Sequence, residues 1–158
     1  MISGARYAHT NLIAADWRGL ARFYTDLFGC VLVPPERNYV GTTLERGTGI
    51  RGAALQGVHL RLPGFGEAGP TLEIFTYSTR PQRQPPAPDV PGFGHIAFQV
   101  DSVPDARAQV LAAGGTAVGE VVTSTTSAGT QVTWCYVTDP EGNIIELQSW
   151  RKPGKSPA

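Results

Sequence analysis

Four side chains of this 158-residue sequence form two matched pairs, His9 with Glu73 and His95 with Glu146. Each lies in a stretch that alternates apolar and polar residues, the period of a β-strand. "RYAHTNLIA" (6–14) sets Tyr7, His9 and Asn11 on one face, and "GHIAFQVD" (94–101) sets His95, Ala97 and Gln99 against Ile96, Phe98 and Val100. "TLEIFTY" (71–77) sets Glu73, Phe75 and Tyr77 against Leu72 and Ile74, and "NIIELQSW" (143–150) sets Glu146 and Gln148 against Ile145 and Leu147. Two neutral imidazoles and two carboxylates around a divalent cation make a neutral cluster. A partly buried carboxylate without such a partner costs several kcal/mol or takes up a proton. A cation about 2.0–2.2 Å from each donor removes that cost. The mixed nitrogen and oxygen set suits one divalent ion, nickel, cobalt, zinc, manganese or iron(II). Without a thiolate it does not suit copper(I) or an iron–sulfur cluster. Taken singly, each histidine reads as structural and each glutamate as solvated; their recurrence at equivalent places favours ligands. His59 has no histidine counterpart in the second half and reads as structural.

The elements that must position these residues repeat. In the first half "ADWRGLARFYTDLFG" has helical spacing, with Asp16 as N-cap, Leu20, Phe23, Tyr24 and Leu27 as an apolar stripe, and Gly29 as the stop. "CVLV" reads as a short strand, residues 34–50 as irregular, and 51–62 and 71–77 as strands. In the second half "SVPDARAQVLAAGG" is a helix capped by Ser102 or Asp101, with Pro104 in its first turn. "TAVGEVV", 130–138 and 143–150 follow as strands, the last two joined by the turn "DPEGN". Each half is thus a strand, a helix and three strands, an internal repeat. The implied organisation is a first module over 1–77, a proline-rich linker over 78–93, a second module over 94–150 and a tail over 151–158. In each half the helix covers the apolar strand face, so the histidine and the glutamate point the other way, toward a common concavity.

Bulk composition excludes several function classes. The 13 basic and 13 acidic residues balance, with no basic run for nucleic acid. No apolar stretch approaches the roughly 20 residues of a membrane span, and the N-terminus lacks the pattern of a signal peptide. Cys30 and Cys135 lie in apolar contexts and read as buried thiols of a reducing compartment. The expectation is a cytoplasmic protein acting on a small molecule.

The stretches "HTNLIAADWRGLARFYTDLFG", "LEIFTY", "GHIAFQVDSV" and "DPEGNIIELQSW" together resemble the vicinal oxygen chelate superfamily, the glyoxalase I and bleomycin-resistance group, over residues 6–150. The resemblance implies an α+β fold of paired βαβββ modules whose curled mixed sheets surround a metal-binding cavity. It implies that the first and last strands of each module are neighbours, and that His9, Glu73, His95 and Glu146 hold the metal positions. It also implies a homodimer. Glutamate at position 73 looks most like glyoxalase I, which implies an isomerase, lyase or epimerase moving a proton next to a metal-bound carbonyl, with Glu73 and Glu146 as the catalytic carboxylates. Two alternatives remain: an iron(II) ring-cleaving dioxygenase using His9, His95 and Glu146, and a non-catalytic binding or resistance protein. Asn11, Gln99, Gln148 and Trp134 are the candidate substrate-binding residues, with Tyr7, Phe75 and Tyr77 as further lining. Arg37, Arg46 and Arg51 read as solvated loop charges, one of which could clamp an anionic substrate group. Segment 34–50 is long enough to act as a lid.

Overall fold

The computed structural model describes residues 1–79, 81 and 87–152. The chain divides into two compact units, Met1–Arg83 and Gln84–Ala158. Among the described residues there are three helices and nine strands in two mixed sheets, the expected α+β class.

The first unit runs β1 (His9–Ile13), α1 (Trp17–Phe28), β2 (Val31–Val40), α2 (Thr42–Thr48), β3 (Ala54–Arg61) and β4 (Thr71–Tyr77). Its sheet has the order β1-β4-β3-β2, with β1 parallel to β4 and the other pairs antiparallel. Helix α1 begins where the Asp16 carboxylate accepts the Arg18 N–H at 3.1 Å. It ends where Gly29, at φ 66°, turns its own N–H back to the Thr25 carbonyl. That left-handed backbone is open to glycine and penalised in most other residues. The helix lays Leu20, Phe23 and Tyr24 over β3 and β4, whose Val58, Leu60, Leu72 and Ile74 are buried beneath it. Each such side chain contributes roughly 1.5–3 kcal/mol of apolar burial.

The second unit runs β5 (Ile96–Gln99), α3 (Val103–Ala112), β6 (Thr116–Ala117), β7 (Val122–Thr125), β8 (Gln131–Thr138) and β9 (Ile144–Arg151). Its order is β5-β9-β8-β6, with β7 also paired to β8 and β5 parallel to β9. Ser102 caps α3, its hydroxyl accepting the Asp105 N–H at 3.4 Å. The helix packs on β8 and β9, where Cys135, Val137, Ile145 and Leu147 are buried. The "DPEGN" turn is held by Asp139, whose carboxylate accepts the backbone N–H groups of Glu141 and Asn143 at 3.0 and 2.8 Å and the Asn143 amide at 2.6 Å. Gly142 supplies the positive φ of 82°.

The two parallel pairings place the first and last strands of each module side by side, as the resemblance implies. Segment 34–50 differs from the irregular run expected. Pro34 and Pro35 lie within β2, and Thr42–Thr48 is a short helix. Proline breaks a strand only where its missing N–H leaves a partner unpaired. Here β2 is the sheet edge, and the register slips between Val33 and Arg37, so the prolines fall in the irregular stretch. The single strand expected at "TAVGEVV" is divided between β6 and β7, which follow one another along β8. Residues 80 and 82–86 of the expected linker and 153–158 of the expected tail lie outside the described residues.

Candidate metal-binding half-sites

The register of the sheets explains how residues far apart in sequence meet. In the first unit one row across the sheet reads Asn11, Glu73, His59 and Val33. In the second, the equivalent row reads Ala97, Glu146 and Tyr136. Directly paired residues share a face, so each row shows what surrounds its glutamate. His9 and His95 each lie two residues before the residue that pairs with the glutamate, and so on that same face. The histidine–glutamate repeat seen in the sequence is a repeat in the sheets.

Around Glu73, His9 Nε2 stands 3.4 Å from Oε2 and His59 Nε2 stands 3.0 Å from Oε1. The Asn11 amide donates to Oε2 at 3.4 Å. The Glu73 side chain is 12% exposed, His59 22% and His9 47%, so His9 forms the open side of the cluster. Burial lowers the His59 imidazole below its ordinary value of 6.5; Glu73 raises it, while Arg37 and His9 add to the lowering. So lowered, His59 is neutral at pH 7, and its Nε2–H tautomer would set a donor against Glu73 Oε1. In the second unit His95 Nε2 stands 3.0 Å from Glu146 Oε2, and its ring packs 5.0 Å from that of Tyr136. Glu146 is 19% exposed and His95 33%.

His59 is the residue that sequence reasoning passed over. It stands between Val58 and Leu60 as Glu73 stands between Leu72 and Ile74. That apolar–polar–apolar signal was available. The second half has no third histidine, although the place itself is repeated and holds Tyr136.

The remaining expected residues separate. Gln99, Gln148 and Trp134 form one row across β5, β9 and β8, next to the Glu146 row on the same face. Gln148 accepts the Trp150 indole N–H at 2.7 Å, and Trp134 packs edge-on against Tyr136 at 5.3 Å. In the first unit Phe75 and Gly57 fill the row next to Glu73, with Arg37 opposite Gly57 on β2. Arg37 is half-buried and its guanidinium bonds the Pro35 carbonyl, so it is neither in an irregular loop nor fully solvated. Arg46 lies on α2 and Arg51 in the following turn, both exposed. Tyr7 is exposed and bonds the Thr10 hydroxyl.

Within each module the donors fit a divalent cation by type. Two donors each about 2.1 Å from one ion stand about 3.0 Å apart at a right angle and about 3.4 Å apart at the tetrahedral angle, the separations found here. The same separations serve an imidazole N–H donating to a carboxylate. Among the described residues, no group of three or more His, Cys, Asp or Glu side chains is gathered as a metal centre would gather them. What each module holds is an imidazole–carboxylate pair.

A repeated βαβββ-type unit with such a pair in each copy defines a two-module α+β protein. The sequence matches the Glyoxalase/Bleomycin resistance protein/Dioxygenase superfamily over residues 6–147, and the chain belongs to that superfamily. Members commonly bind divalent metals, and the superfamily includes metal-dependent enzymes. No curated protein matches the sequence. Among solved structures, a glyoxalase family protein from Bacillus cereus is similar at 19% identity and a TM-score of 0.78, covering 96% of this chain and 100% of that one. A glyoxylase/bleomycin resistance protein/dioxygenase domain from Frankia sp. is similar at 17% identity and a TM-score of 0.60, covering 94% and 100%. A glyoxalase family protein from Enterococcus faecalis is similar at 20% and 0.56, covering 93% and 99%. These likenesses show the fold. Among the described residues no helix is long and apolar enough to cross a membrane.

Proposed function

We propose that this chain is a divalent-metal-dependent enzyme of the vicinal oxygen chelate type that moves a proton on a carbon next to a carbonyl, in isomerase, lyase or epimerase chemistry. His9 with Glu73, and His95 with Glu146, would serve as ligands to a nickel, cobalt, zinc, manganese or iron(II) ion. The observation that carries this reading is the repeated contact of an imidazole Nε2 with a largely buried carboxylate, 3.4 Å in one module and 3.0 Å in the other. When bound, the cation supplies a Lewis acid for a substrate oxygen.

The protein's own part is proton transfer and orientation. Glu73 is approached by three side chains, His9, His59 and Asn11. Glu146 meets His95 and is more exposed than Glu73. We therefore assign Glu146 as the group that takes the proton from carbon and returns it, and Glu73 as a fixed ligand. Gln99, Gln148 and Trp134, in the row beside Glu146, would contact the substrate, as would Asn11 beside Glu73. The free thiols Cys30 and Cys135 fit a cytoplasmic enzyme. The exposed Val31, Leu32, Tyr39 and Val40 on the edge strand β2 fit a homodimer.

Metal analysis of the purified protein tests this reading, followed by titration with each of the five ions and a substrate screen with the one that binds. Absence of metal, with no shift of the thermal midpoint on adding any of them, would overturn it. Iron(II)-dependent oxygen uptake with catechols would redirect it to ring cleavage.

A further inference from the structure

We infer that His59 is a positioning residue: its Nε2–H fixes the Glu73 carboxylate in one orientation and reserves the other carboxylate oxygen for the ion. The inference rests on the metal-dependent reading above.

Three observations carry it. His59 pairs directly with Glu73 across β3 and β4, so the backbone sets their approach. The carboxylate oxygens are then sorted: Oε1 to His59 at 3.0 Å, and Oε2 to His9 and Asn11, each at 3.4 Å. A carboxylate on a rotatable stem loses that freedom when both oxygens are engaged from different strands, and Oε2 is left as the oxygen beside the His9 donor. The His59 ring is itself supported. Phe75 packs against it, ring centroids 5.8 Å apart. Phe75 has that place because Gly57 lacks a side chain: a Cβ there would collide with Phe75 Cδ1 and the Ile74 carbonyl oxygen. The support therefore runs from Gly57 through Phe75 and His59 to Glu73. The second module is built otherwise, since the equivalent Tyr136 packs on the histidine of its pair. Groups that orient a metal ligand typically change affinity by about 10–100-fold when removed.

The test compares wild type with His59→Gln, which keeps an N–H donor near the same point, and His59→Phe, which does not. Cobalt(II) is titrated calorimetrically and by visible absorption, and imidazole 15N NMR is recorded on the metal-free wild type and on Glu73→Ala. The expected result is a loss of about 10–100-fold in cobalt(II) affinity for His59→Phe, with affinity and spectrum largely restored in His59→Gln. In metal-free wild type, His59 is expected as the Nε2–H tautomer, with an Nε2 resonance that moves in Glu73→Ala. Unchanged affinity in a folded His59→Phe would overturn the inference and leave the proposed function standing. An Nδ1–H tautomer of His59 would overturn it too, and that reading needs no foldable His59 variant. If wild type binds no cobalt(II) or any other ion, the proposed function falls, and the NMR result alone decides whether His59 holds Glu73.

Discussion

His59 and Tyr136 occupy the same place in the two modules, each directly opposite the module's glutamate across an antiparallel strand pair. One stands with its Nε2 3.0 Å from the carboxylate and the other packs on the histidine. The duplicated scaffold thus surrounds its two glutamates with chemically unlike neighbours, and the proposed division of labour between Glu73 and Glu146 rests on that difference.

Glu73→Gln and Glu146→Gln keep side-chain volume and remove charge. Each is expected to lower divalent-metal affinity by about 10-fold or more, with a circular dichroism spectrum like that of wild type. With an accepted substrate and saturating metal, Glu146→Gln is expected to lower kcat by about 100–10,000-fold. Steady-state turnover at saturating metal checks the assignment, and wild-type kcat in Glu146→Gln would refute it.

Gly57→Ala is expected to destabilise the first unit by about 1–3 kcal/mol through overpacking, because the new methyl group meets Phe75 and the Ile74 carbonyl. The urea midpoint reads this directly. A midpoint within error of wild type would mean that β3 shifts away without cost.

Asp139→Ala leaves two backbone N–H groups at the β8–β9 turn without their carboxylate acceptor. A loss of about 1–3 kcal/mol follows, seen in chemical denaturation. Metal affinity should change little, since the turn lies beyond the last paired residues, Thr138 and Ile144.

Cys30 is buried, and burial pushes its thiol up from the ordinary 9.0 to about 11. Between these values the unfolded chain releases a proton that the folded chain keeps. Stability is therefore full below about pH 9 and falls as pH rises toward 11. Thermal midpoints across that range test the direction. At pH 8 the native thiol should resist an alkylating reagent that labels it promptly in denaturant. Rapid native labelling would contradict the burial.

The sequence made legible those elements whose signals are local. Asp16 and Gly29 bracket α1, Ser102 opens α3, and the alternation around Glu73 and Glu146 distinguishes the faces of β4 and β9. The β2 strand was illegible because its prolines are tolerated only at a sheet edge, and edge position belongs to the topology. His59 was illegible for a related reason. Its partner is set by the β3–β4 register, and the two modules repeat that place without repeating the residue type. The same limit applies to Arg37, whose half-buried position opposite Gly57 depends on the register slip in β2.

The parallel pairing of β1 with β4 has a kinetic consequence. Asn11 and Glu73 lie 62 residues apart in the chain, and the strand that carries Glu73 is the last of its module to be made. Such non-local pairing forms slowly relative to local contacts, so the His9–Glu73 pair is expected to come into being only as its module completes. An ion that prefers the assembled pair would then act as a clasp on a finished module, slowing its unfolding more than it speeds its folding.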